Sequence, residues 1–149
     1  MGTDRPQPSP DDPRLEAWRV FLVAHARVTR QLERELETEQ RLGLAEYDVL
    51  LQLAWAPERR LRMSELADRL VLSRSGATRL VDRLERDGLI AREACETDRR
   101  GAWAVLTDSG LARLRAASTT HLRGIEEHFL SSFSERELDR LRRTLERLA

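Results

Sequence analysis

Residues 63–107 contain two short helical patterns joined by only three residues, and that spacing leaves few ways to pack them. The first, Met63 to Leu70, places Leu66, Ala67 and Leu70 on one side, with Ser64 positioned as its N-cap. The connector is Val71-Leu72-Ser73. The second, Arg74 to Arg86, places Ala77, Leu80, Val81 and Leu84 at the i, i+3, i+4, i+7 steps of an apolar stripe. Ser73 stands at its N-cap, and Gly88 follows where a left-handed residue closes a helix. Two such helices can bury their stripes only by crossing over one shared core, with small Ala67 allowing a close approach. A connector of three or four residues is the helix-turn-helix spacing, although glycine, usual in that turn, is missing here.

The side of the second helix opposite its stripe carries Arg74, Ser75, Thr78, Arg79, Asp82, Arg83 and Arg86. A polar helix face is ordinarily a solvated one. This one is rich in groups that suit nucleic acid. Arginine offers a planar fork matching guanine O6/N7 or a phosphate, and the hydroxyls suit base edges or phosphates. Ser75, Thr78, Arg79 and Arg83 are the candidates for base contact, with Ser73 and Arg74 as phosphate contacts that fix register.

After Gly88 come two extended patterns, Leu89 to Ala94 and Ala102 to Thr107, around a polar tip, Cys95-Glu-Thr-Asp-Arg-Arg-Gly. They read as a β-hairpin with Ala104 and Leu106 facing the core and Trp103 and Val105 facing away. A hairpin this short needs a helix to pack on.

The remaining chain is helical in pattern. Leu15, Trp18, Leu22, His25, Val28, Leu32 and Leu36 run through a long helix from about residue 14 to 40, widened by Val20 and Phe21. A shorter helix spans about residues 45–55, with Tyr47, Leu50, Leu51 and Ala54 inward. Thr107 can cap a second long helix to about Ser132, and Ser134 with Glu137 forms a capping box for a last one. The apolar stripe of that last helix (Leu138, Leu141, Leu145, Leu148) has no later element to cover it. Together with Leu15, Trp18, Phe129, Leu130 and Phe133 it points to a homodimer.

Charge is balanced across the 149 residues, 26 acidic against 26 basic, which excludes a global polyanion-binding field. Residues 59–100 nevertheless carry eleven arginines against eight acids. Every basic residue is arginine. Cys95 is the sole cysteine, so no intrachain disulfide or cysteine-based metal site exists. Neither a signal peptide nor an apolar run of membrane length is visible, and a soluble, cytoplasmic protein is expected. Residues 1–13 hold four of the five prolines and read as a disordered arm. No Ser/His/Asp set, paired acids or glycine-rich phosphate loop suggests an enzyme or a bound cofactor.

In element order, and in the residues Leu66-Ala67, Leu70, Thr78 to Glu85, Gly88-Leu89 and Asp98-Arg99-Arg100 followed by Ala104-Val105-Leu106-Thr107, the chain resembles the MarR (multiple antibiotic resistance regulator) family. Ala104 replaces the family's usual Val. The resemblance implies a mainly α winged helix-turn-helix fold of about six helices. The DNA-binding lobe would span residues 45–107, and residues 14–40 and 108–149 would supply the dimerisation helices. It further implies a transcriptional regulator, usually a repressor, on a pseudo-palindromic double-stranded operator. Arg100 would enter the minor groove, oriented by Asp98 and flanked by Arg99, with Asp82 a second partner. The family also implies a small-molecule pocket, for which Trp18, Phe21, His25, Tyr47, Leu51 and His121 are candidates. Two alternatives remain at this stage. One is a metal-responsive regulator using His25, His121 and His128 with Glu126 or Glu127; the other is a winged-helix protein-interaction module that does not bind DNA.

Overall fold

The computed structural model describes residues 7–70, 72–95 and 101–148. Asp12 staples the turn before the first helix, its carboxylate bonded to the backbone N–H and side chain of Arg14. Of the arm expected to be disordered, residues 7–13 are described and lead into this turn, and the first six lie outside the described residues. Helix α1 (Leu15–Glu35) runs on into a π-helical turn, Leu36–Gln40, closed by Arg41 at φ 51°. Then come α2 (Leu44–Trp55), β1 (Arg60–Arg62), α3 (Met63–Arg69), α4 (Arg74–Arg86), β2 (Ile90–Ala94), β3 (Ala102–Leu106), α5 (Asp108–His128) and α6 (Glu135–Leu145).

Six α-helices and the hairpin agree with the sequence expectation, but the sheet has a third strand. It is antiparallel in the order β1-β3-β2, with Leu61 opposite Ala104 and Arg62 opposite Trp103. Sequence periodicity does not mark β1, because Arg-Leu-Arg has one apolar residue and its partner strand lies some forty residues on. The N-cap of α3 also differs. Arg62, in extended conformation, occupies that position and donates its N–H to Glu65 (3.1 Å), so Ser64 lies inside the first turn. β1 ends directly into α3, which leaves no room for the expected serine cap.

One core joins the lobe. Val49, Leu50 and Leu53 of α2, Leu66 of α3, Val81 and Leu84 of α4, and Ile90 and Ala104 of the sheet are all buried. Leu36, Leu114 and Ala117 continue it toward the long helices. At the base of the hairpin Thr107 makes three bonds. Its hydroxyl donates to the Gly88 carbonyl (2.8 Å) and accepts from Gly110 (2.9 Å), and its N–H donates to Leu89 (3.2 Å). Gly88 sits at φ 73°, the left-handed closure anticipated for α4. Among the described residues, no helix is long and apolar enough to cross a membrane.

Gly110 is held against the Leu89 carbonyl so closely that a Cβ would lie 2.1 Å from its oxygen and 2.7 Å from Leu106 Cδ1. Gly110→Ala should therefore destabilise the fold by about 1–3 kcal/mol, the usual cost of overpacking. Urea unfolding followed by circular dichroism checks this; an unchanged midpoint would contradict the packing described.

Candidate nucleic-acid interface

Helix α4 owes its position to its cap and its stripe. Ser73 Oγ accepts from the Gly76 N–H (3.1 Å), and Ala77, Val81 and Leu84 are buried. Leu80, expected in the stripe, is half-buried. With that side inward, Arg74, Ser75, Thr78 and Arg79 face solvent. No carboxylate lies within ion-pair distance of Arg74 or Arg79 among the described residues. Two further sequence candidates are engaged within the chain. Arg83 pairs with the nearly buried Glu46 of α2 (3.1 Å), and Asp82 pairs with Arg92 of β2 (2.6 Å). Asp98, Arg99 and Arg100, the sequence candidates at the hairpin tip, lie outside the described residues.

Arg92 escaped the sequence reading. Its guanidinium also reaches Glu85 (3.5 Å) and the Thr78 carbonyl (3.4 Å). One strand residue thereby fixes the angle between hairpin and helix. The signal available in sequence was an arginine on the strand face that also carries Ile90, an odd place for a charge without a partner. On the opposite sheet face, Trp103 lies under two guanidinium groups, Arg60 at 4.9 Å and Arg62 at 5.4 Å from the ring centroid. Arg60 is additionally paired with Glu58 and with Glu93 (3.9 Å).

The six pocket candidates fall into two groups of ring contacts. Trp18, Phe21 and His25 stack along the exposed side of α1, with centroids 6.1 and 6.2 Å apart. Tyr47 and His121 meet at 4.4 Å, with Leu51 half-buried on the same helix as Tyr47. Tyr47 Oη is bonded to Ser118 (3.2 Å), whereas His121 Nδ1 is buried without a hydrogen-bond partner among the described residues. Burial pushes the His121 imidazole below its ordinary pKa. Of the residues considered for a metal, only His128 and Glu127 come together, and they do so with Glu35 rather than with His25 or His121. Glu35 accepts from His128 and Gln31, and that pairing with His128 holds its carboxyl below the usual range.

The apolar surface expected at the chain ends is present. Trp18 is 56% exposed and Leu148 83%, and α6 has no buried residue. Leu15 is half-buried. A cleft of about 410 Å³ is lined by Phe129, Leu130, Leu138, Leu141 and Leu145, and Phe129 meets Phe133 at 5.3 Å.

Comparison with known proteins gives consistent matches. A family model described as "MarR family" matches residues 42–101. The chain is 33% identical over 128 residues to the HTH-type transcriptional regulator PecS of Dickeya dadantii, covering 83% of this chain and 76% of that one. The structure is similar to AbsC, a MarR family transcriptional regulator from Streptomyces coelicolor (TM-score 0.85, 31% identity, 97% of this chain and 95% of that one). It is also similar to Sco3205 of the same organism, solved in complex with DNA (TM-score 0.87, 30% identity, 96% and 89% covered).

Arg92→Ala should weaken DNA binding while costing at most about 1 kcal/mol of stability, since its ion pairs are partly exposed. Paired gel-shift and thermal-unfolding measurements check this, and undiminished affinity would contradict the role given to Arg92. The depressed His121 pKa means the unfolded chain binds the proton more readily, so stability is lost as pH falls below about 6.5, the ordinary imidazole value. His121→Gln should make Tm fall less steeply with acidification; an identical fall would show that His121 does not contribute.

Proposed function

The chain belongs to the MarR family of transcriptional regulators, and from that premise we propose how its residues act. Helix α4 enters the major groove of double-stranded DNA, with Ser75, Thr78 and Arg79 at base edges and Ser73 and Arg74 at phosphates. The observation that carries this reading is the exposed surface of α4, where Arg74 and Arg79 pair with no carboxylate among the described residues and stand beside the hydroxyls of Ser75 and Thr78, held beside the hairpin by Arg92. The hairpin acts as the wing. Arg100, with Asp98 and Arg99, reaches the adjacent minor groove, where a narrow A·T-rich segment concentrates negative potential.

Asp82 and Arg83 serve this surface from behind. Their ion pairs with Arg92 and Glu46 orient α4, and base contact by Arg83 would require giving up its bond to Glu46.

Two chains associate through the apolar surfaces of α1 (Trp18), of the connection between α5 and α6 (Phe129, Leu130 and Phe133) and of α6 (Leu138, Leu141 and Leu145). Twofold symmetry then pairs two α4 helices on a pseudo-palindromic operator, with half-sites about one helical turn apart. The protein acts as a repressor released by a small organic effector. Tyr47 and His121 are the pocket residues with the best support, because the buried Nδ1 of His121 offers a polar handle beside an aromatic ring. An effector that favours one separation of the α4 helices shifts the population by no more than its differential affinity.

Fragments bound by the protein, selected from the source genome and titrated at fixed salt, test the reading directly. Arg79→Ala should lose about 1–3 kcal/mol on the selected operator and relax preference at one position of each half-site. Equal losses on operator and random DNA would instead make Arg79 a phosphate contact.

A further inference from the structure

Between the start of α4 and the loop end of strand β3, just below the wing tip, lies a notch of about 370 Å³, lined by Arg62, Ser64, Arg74, Thr78, Gly101 and Ala102. Neither Arg62 nor Ser64 belongs to the recognition helix or the wing tip. The notch nevertheless occupies the gap between the two groove-reading elements, and that position has a geometric consequence. Adjacent major and minor grooves are separated by one sugar–phosphate strand. A protein with α4 in one groove and the wing in the other must pass that strand between them, along this notch.

The charges are arranged to receive it. Arg60, Arg83 and Arg92 are each committed to carboxylates. Arg62 and Arg74 are not: among the described residues no acidic side chain pairs with either. A phosphate meeting these two displaces no ion pair made among the described residues. Arg62 is also preorganised. It lies directly across the sheet from Trp103, and its guanidinium rests over that ring at 5.4 Å. Holding a long side chain in place reduces the rotamer entropy lost on binding, while the ring leaves the guanidinium N–H groups available to an anion. Ser64 adds an exposed hydroxyl from the first turn of α3.

We infer that this notch is a backbone clamp, in which Arg62 and Arg74, assisted by Ser64, grip the phosphodiester strand that runs between the two grooves. The inference rests on the DNA-binding reading above and extends it to β1 and α3. Such a clamp sets register and adds affinity without reading sequence.

The test uses the full chain, titrated against the selected operator and against a random duplex over a range of salt concentrations. Arg62→Met keeps the apolar stem and removes the charge. It should weaken both duplexes by the same factor and flatten the plot of log K against log salt by about 0.9 for each clamp engaged. Ser64→Asp puts a carboxylate in the notch at a helix position that tolerates acids, and should weaken both duplexes as well. The second variant keeps the test informative if thermal melting shows that Arg62→Met unfolds. Unchanged affinity and slope in the folded variants, while the unaltered chain binds, would overturn the clamp alone. A loss confined to the operator would also overturn it, placing Arg62 at a base edge. Absence of salt-dependent binding by the unaltered chain would overturn the regulator reading and the clamp together.

Discussion

Thr107 is one residue after β3, one before α5, and bonded through its hydroxyl to the carbonyl of Gly88, one residue before Leu89 leads into β2. The same oxygen accepts the Gly110 N–H, and Gly110 packs on the Leu89 carbonyl with no room for a side chain. The end of the recognition helix, the base of the wing and the start of the long helix α5 are therefore tied within a few ångströms. Any rotation of α5 must carry both groove-reading elements with it. Since α5 and α1 also supply apolar surface at the chain ends, this junction is, in the proposed dimer, the mechanical link between association and DNA reading.

Around that junction, ion pairs set the finer angles. Arg92 fixes wing to helix through Asp82 and Glu85, and Arg83 fixes helix to α2 through Glu46. Each such pair is worth little in stability when partly exposed. Their value lies in geometry, because α4 and the wing must arrive together at two grooves. The arginines divide accordingly into those consumed in holding the lobe's shape and those left for a polyanion. The division explains how a chain of zero formal net charge can present a cationic face.

Much of this was legible in the sequence, wherever the determinant is local. Ser73, Thr107 and Ser134 all cap as their spacing indicated, Gly88 adopts the left-handed conformation, and Ala104 and Leu106 face inward. A cap or an alternation is decided within a few residues, so it survives without knowledge of the fold. The features that escaped are those decided at a distance. β1 exists because β3 pairs with it, and Ser64 is not a cap because β1 runs directly into α3. Arg83 carried the right residue type for base contact and Asp82 that of a partner for Arg100, but α2 and β2 deliver partners to them. Arg92 and Arg62 looked like ordinary strand arginines until tertiary pairing gave one to Asp82 and the other to Trp103.

The central claim is that α4 and the wing of each protomer straddle one phosphate strand, duplicated by a twofold axis. Hydroxyl-radical footprinting of the full chain on its selected operator tests this most directly. The account predicts two symmetry-related sets of protections about one helical turn apart, on one face of the duplex, each covering a major groove and its neighbouring minor groove. A single uninterrupted protection without twofold symmetry, or protection of major grooves alone, would contradict it.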